Sequence, residues 1–236
     1  MRVSYIRLMH FVQLRDMHPG LIELFVDGTE NALPDSGRLH TLGLGSGAVV
    51  FMLQRLGWRW DECGSKITLA GEGLVATYGT VFGAWQVTTG GEPMTEGRHY
   101  WEVEIESSID ANFMLGAVRL GLCLDQTHEE SDDAYYIYSR NGSLFGNGRS
   151  FAEPQRVKFV TGDRIGVLLD LDAGWLRFYR NDKRCGPGYT EGVTGPLVRA
   201  AQVYGGGVML TALPGAVAPE GAGGADEPWE ELEVDY

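Results

Sequence analysis

Three glutamates, Glu102, Glu104 and Glu106, alternate with Val103 and Ile105. On a strand this alternation puts all three carboxylates on one face about 7 Å apart. Retaining glycoside hydrolysis on β-sandwiches uses carboxylates on one strand as nucleophile and general acid. A solvated strand face needs the same pattern, and the preceding Gly97-Arg98-His99-Tyr100-Trp101 favours that structural reading. Asp170, Asp172 and Gly174 supply part of a calcium loop, but the third acidic position and the distal glutamate are missing, so they read as a hairpin turn. His128 stands among Glu129, Glu130, Asp132 and Asp133; one imidazole among loop acids reads as a solvated loop rather than a metal site. Gly43, Gly45 and Gly47 precede a strand-like run rather than a helix, which removes a phosphate cradle. No serine or cysteine sits in a nucleophile motif, and Cys123, alternating with leucines, reads as buried. No catalytic residue, cofactor or metal is expected.

The elements that carry these residues fall into two regions. In the first, Val3, Ile6, Leu8, Met9, Val12 and Leu14 recur at helical intervals and end at His18-Pro19-Gly20, which predicts one amphipathic helix. Leu21–Val26, closed by Asp27-Gly28, and Ala48–Leu53 read as strands, so residues 1–56 form a small α+β unit. Residues 57–63 are expected to be a linker. From Gly64 onward, short alternating runs separated by turn residues take over, the mark of an antiparallel β-sandwich over residues 64–214. Trp101–Glu106, Leu120–Leu124, Gly166–Asp172, Trp175–Tyr179 and Val208–Leu213 are its clearest strands. Residues 215–236 are Ala, Gly, Pro and acid and are expected to be a disordered tail, unless Trp229, Leu232 and Tyr236 form a short anchor.

Composition narrows the function classes. The chain has 236 residues, 34 glycines, 3 cysteines and a formal net charge of −13. Seven acids and no base lie in the last seventeen residues, so more than half of that charge belongs to the tail. The acidity argues against a nucleic-acid backbone or an anionic membrane as partner, because both need clustered Lys and Arg. Cys63, Cys123 and Cys185 form no CxxC pair, which fits a reducing compartment. Arg2, Arg7, His10 and Arg15 interrupt the start of the chain, and no apolar run approaches the roughly 20 residues of a membrane span. A cytoplasmic or nuclear location is therefore expected.

Four motifs, in order, carry a family resemblance: GRHYWEVEI (Gly97–Ile105), RLGLCL (Arg119–Leu124), GSLFGNG (Gly142–Gly148) and GDRIGVLLDLDAGWLRFYRNDK (Gly162–Lys183). Together they resemble a SPRY domain across the sandwich region. One departure is Asn181-Asp182, where the family has an asparagine-glycine turn; aspartate tolerates left-handed backbone less easily, which predicts another turn type here. Residues 1–56 resemble the second half of a ubiquitin-like β-grasp without its first hairpin. Either the start is late, or Gly57–Cys63 and the sandwich cover the gap, or the unit is simply a packing extension.

The resemblance implies a non-catalytic module that binds a peptide or protein surface through loops at one end of the sandwich, as an adaptor or scaffold. QVYGG (Gln202–Gly206) is similar to the family's peptide-contact segment, which assigns Val203, Tyr204 and Gly205 to partner binding. The loop from Asp125 to Tyr136 aligns with a second contact loop, with Tyr135 or Tyr136 as aromatic anchor; core packing of Tyr136 is the competing reading. Gly71–Leu74 is a candidate third loop. The alternative function is carbohydrate hydrolysis or sugar binding at the Glu102/Glu104/Glu106 face.

Overall fold

The structure is a computed structural model, and it describes residues 22–26, 50–54, 57–79, 83–107, 112–148 and 157–229. The chain divides into two compact units, Met1–Gly57 and Trp58–Tyr236. In the first, β1 (Ile22–Val26) pairs antiparallel with β2 (Val50–Gln54), with Leu24 opposite Met52. The helix expected over residues 3–14 and the glycines at 43, 45 and 47 lie outside the described residues.

The second unit is a sandwich of two antiparallel sheets. One is built from β10 (Leu144–Gly146), β9 (Ala134–Tyr138), β8 (Phe113–Arg119), β14 (Leu197–Val203), β6 (Gln86–Met94) and β3 (Trp60–Cys63), in that spatial order. The other runs β13 (Lys183–Arg184), β12 (Trp175–Arg180), β11 (Arg164–Asp170), β7 (Arg98–Ser107), β15 (Met209–Leu213), β5 (Val75–Tyr78) and β4 (Ile67–Ala70).

Strand alternation decides which side chains meet between the sheets. Trp101, Val103 and Ile105 of β7, Val167 and Leu169 of β11, and Leu176 and Phe178 of β12 are fully buried from one side. Phe113, Leu115 and Ala117 of β8 and Leu197, Ala201 and Val203 of β14 meet them from the other. The outer face of the six-stranded sheet is also covered. Val87, Met114, Val118, Tyr136, Val198 and Ala200 form a second buried cluster there, with Leu122 and Leu124 of the β8–β9 loop packed on it.

Three expectations change. Residues 57–63 are not a connecting linker: Trp60–Cys63 is an edge strand on β6, and the Trp60 ring is 1 % exposed. Gly90-Gly91-Glu92-Pro93 lies within β6. Only a residue without Cβ fits at Gly90, because a Cβ would sit 1.8 Å from the Arg59 carbonyl oxygen. Leu120–Leu124 is loop rather than strand, so Leu120 and Cys123 are exposed. Finally, both Asn181 (φ 49°) and Asp182 (φ 70°) are left-handed, the geometry of a type I′ hairpin turn, although no glycine is present. Asn181 tolerates this because its side-chain oxygen accepts from the Arg164 N–H at 2.9 Å and its amide donates to Asp163 at 2.7 Å.

Candidate binding site at the loop end of the sandwich

The start of β6, the start of β8, and the ends of β9 and β14 lie side by side, because the register pairs Val203 with Gln86 and with Phe113, and Tyr138 with Met114. The residues that flank these strands therefore gather at one end of the sheet. Tyr204 and Trp85 face each other there with ring centroids 5.2 Å apart and planes at 46°. Trp85 also meets Tyr138 edge-on at 6.4 Å, and Tyr138 meets Phe145 at 5.7 Å. Trp85, Tyr138 and Tyr204 are half-buried, so each keeps part of its ring in solvent.

Hydrogen bonds to neighbouring loop residues fix this corner. Asn112 holds two of its pieces: its carbonyl accepts from the Tyr204 N–H at 3.0 Å, and its side-chain oxygen accepts from the Tyr138 hydroxyl at 2.7 Å. Tyr78, 2 % exposed, donates its hydroxyl to the Ala84 carbonyl at 2.9 Å and its N–H to the Val208 carbonyl at 3.0 Å. Burial raises the Tyr78 hydroxyl pKa, with the neighbouring Tyr204 adding to the effect.

The structure distributes the sequence-assigned residues unevenly. Tyr204 stands at the corner. Gly205 follows it with φ 90°, the left-handed turn that lets the chain leave β14 there. Val203 is 3 % exposed and backs the site from the core. Tyr135 and Tyr136 are not exposed anchors: successive residues of β9 point to opposite faces, so Tyr135 enters the inter-sheet core and Tyr136 the outer cluster, at 1 % and 0 % exposure. Tyr138, two residues on, shares the Tyr136 face but sits at the strand end, where it stays partly open. Trp85 and Tyr138 were not singled out from sequence. The period-two spacing of Tyr136 and Tyr138 was the one available signal. The Gly71–Leu74 turn lies at the end of β5 away from Tyr78 and does not join the corner.

The Asp125–Tyr136 loop is pinned over the outer face. Asp125 Oδ1 accepts from the Ser65 N–H at 2.7 Å and from Gln86 Nε2 at 2.8 Å, and the Ser65 bond is the main reason its carboxyl lies below the usual aspartate range. Gln202, fully buried, accepts from the His128 N–H at 2.7 Å and donates to Thr127 Oγ1 at 3.2 Å. The His128 ring is engaged by the Cys123 carbonyl at 2.7 Å. Among the described residues no group of three His, Cys, Asp or Glu side chains is placed to hold a metal ion.

The glutamate face is not arranged for hydrolysis. Glu102 is 4 % exposed, accepts from the Tyr100 hydroxyl at 2.7 Å and pairs with Arg164 at 3.3 Å. Its hydrogen bond and charge, after burial itself, push the Tyr100 hydroxyl well above its ordinary pKa. Glu104 lies beside Thr211 and Arg164 in the ladders, and Glu106 is exposed. Asp170 and Asp172 do build a turn, accepting from the N–H groups of Ala173 at 2.8 Å and Gly97 at 2.9 Å.

The two antiparallel sheets with their loop-end corner define a β-sandwich domain. The SPRY domain family model matches residues 98–215, half of the chain, and the chain belongs to that family. Butyrophilin subfamily 1 member A1 of Mus musculus is 34 % identical over 105 residues, covering 42 % of this chain and 18 % of the relative. SPRY domain-containing SOCS box protein 3 of Xenopus laevis is 30 % identical over 145 residues, covering 57 % of this chain and 39 % of the relative. The chain thus spans well under half the length of these relatives. The SPRY domain of human HERC1 superposes with a TM-score of 0.57 at 19 % identity, over 67 % of this chain and 98 % of that one, a likeness of fold. No helix among the described residues is long and apolar enough to cross a membrane.

Proposed function

We propose that this chain is a non-catalytic interaction module that grips a peptide or protein surface at the Trp85–Tyr138–Tyr204 corner and serves as an adaptor. The observation that carries the reading is the half-buried aromatic trio held on backbone-anchored strand ends. Such rings bury a large area at small cost in side-chain entropy, and a rigid scaffold avoids refolding on binding. Val203 and Gly205 position Tyr204 in this reading rather than touching the partner. The acidic body disfavours nucleic acid and anionic membranes as ligands.

The test is affinity capture with the full chain, comparing wild type with Tyr204→Ala, Tyr204→Phe and Trp85→Ala by quantitative mass spectrometry and checking each variant by thermal melting. A set of proteins lost with Tyr204→Ala and Trp85→Ala, and retained with Tyr204→Phe, is the expected outcome. An identical captured set for folded Tyr204→Ala and wild type overturns the site.

A further inference from the structure

Arginines cluster on the seven-stranded sheet of this acidic protein, and the sheet itself supplies acids for only some of them. Arg98 pairs with Asp170, Arg164 with Glu102 and Asp182, and Arg180 with Asp163. Among the described residues, Arg177 and Arg184 find no acid within the two sheets. Their carboxylate comes from the C-terminal segment, which was expected to be disordered.

Glu227 Oε2 accepts from Arg177 Nη1 at 2.9 Å, from the Tyr179 hydroxyl at 3.1 Å and from the Gly223 N–H at 3.1 Å, with Arg184 Nη1 at 3.9 Å. The Arg184 and Glu227 side chains are only 6 % and 12 % exposed. Backbone is read as well: Arg184 Nη1 donates to the Glu227 carbonyl at 2.7 Å and Arg177 Nη1 to the Gly224 carbonyl at 2.9 Å. Gly223, at φ 81°, brings the segment onto Trp175 and Leu168; a Cβ there would stand 3.2 Å from Trp175 Cη2 and 3.3 Å from Leu168 Cδ2. Trp229 lies over the Arg184 guanidinium at 4.9 Å, and Arg177 lies over Trp175 at 4.5 Å.

Two features set this contact apart from the strand ladders. Arg184 is aimed by its own neighbourhood, since its Nε and Nη2 donate to the carbonyls of Gly186 at 3.0 Å and Pro187 at 3.3 Å. The segment's attachment is also concentrated: between Gly215 and Gly221 no hydrogen bond to the sheets is present among the described residues, while residues 223–227 make all those above. We propose that this face is a second peptide-binding site, for a turn-forming acidic segment with a glycine pair, a glutamate and a following aromatic, and that residues 223–229, folded into turns by bonds such as Glu227 N–H to the Gly224 carbonyl, occupy it as a tethered competitor of a partner's segment of the same chemistry. Tethering gives the chain's own segment an effective concentration on the order of millimolar. A free peptide therefore enters only once the tether is weakened.

The probe is a fluorescein-labelled synthetic peptide of residues 219–232, titrated by anisotropy into the full chain as wild type and as Glu227→Gln/Trp229→Ala. The expected result is binding at least tenfold tighter to the double variant than to wild type, abolished in a peptide carrying Glu227→Lys. Adding Arg177→Gln to the double variant is expected to weaken binding at least tenfold, and Tyr204→Ala to leave it unchanged, which separates this site from the loop-end corner. No binding to the double variant at millimolar peptide, equal binding to wild type and double variant, or equal binding of the Glu227→Lys peptide each overturns the proposal.

Discussion

Trp85 and Tyr204, remote in sequence, hold their rings 5.2 Å apart. The cause is the β14–β6 register: Val203 lies opposite Gln86, so the next residues outward face each other at the sheet end. An aromatic pair of this kind adds about 0.5–1.5 kcal/mol beyond the area it buries. Trp85 packs on the outer cluster as well as on Tyr204, whereas Tyr204 stands at the end of the row.

The two rings therefore separate by stability. Tyr204→Ala is expected to cost about 1 kcal/mol and Trp85→Ala about 3 kcal/mol, the range for truncating a packed aromatic. Urea unfolding of both variants checks the order; equal losses contradict it.

Gly116 sits where β8 meets β9, and a Cβ there would be 1.9 Å from the Tyr135 carbonyl oxygen. Gly116→Ala is expected to destabilise by about 3 kcal/mol through forced strand separation. Gly97→Ala meets no atom within 4 Å, and its cost comes from φ 76° alone, about 1 kcal/mol. Thermal melts of the two variants side by side test the difference.

Asp182 adopts φ 70° in an exposed turn and pairs with Arg164, which also holds Glu102. Asp182→Gly relieves about 1 kcal/mol of backbone strain and loses an exposed pair worth less than that. A small rise in melting temperature is expected, and a fall shows that the pair outweighs the strain.

Burial alone would raise the Asp170 carboxyl pKa. Hydrogen bonds from Arg98 and from the N–H groups of Ala173 and Asp172 outweigh it and leave the group below its ordinary range. With its folded pKa depressed, Asp170 contributes stability that is fully present above the unfolded value of about 3.9 and disappears as pH falls through the folded one. The urea midpoints of wild type and Asp170→Asn are expected to differ most near pH 7 and to converge as pH falls below the ordinary aspartate range. A gap that stays constant with pH rules this out.

Cys123 is exposed, whereas burial pushes the Cys185 thiol up to about 12. Burial also raises Cys63, with Asp125 adding to it. Iodoacetamide at pH 8 is expected to modify Cys123 in the native protein and to reach Cys185 only after unfolding. Peptide mapping over time reads this directly.

Much of the sandwich was legible because period-two alternation is a local property. Trp101–Ile105 and Leu176–Phe178 announced their faces from spacing alone, and four motifs in order carried the SPRY resemblance. Where alternation failed, a close approach or a covering loop was responsible. Gly90 breaks the apolar pattern inside β6 because the Arg59 carbonyl leaves no room for a Cβ, and Leu122 and Leu124 mimic a strand because the loop that carries them packs on a buried outer face.

What the amino-acid order determined by itself was therefore local: strand periods, turn glycines, the family and an acidic terminus. The tertiary structure decided the rest, because register and loop path are set by packing between distant segments. It chose Tyr138 over Tyr135 and Tyr136 as the open ring, brought Trp85 to Tyr204, and closed Glu102 into a pair with Arg164. It also drew Glu227 out of an apparently featureless tail, because Arg177 and Arg184 are two arginines that the sheets leave without an acid.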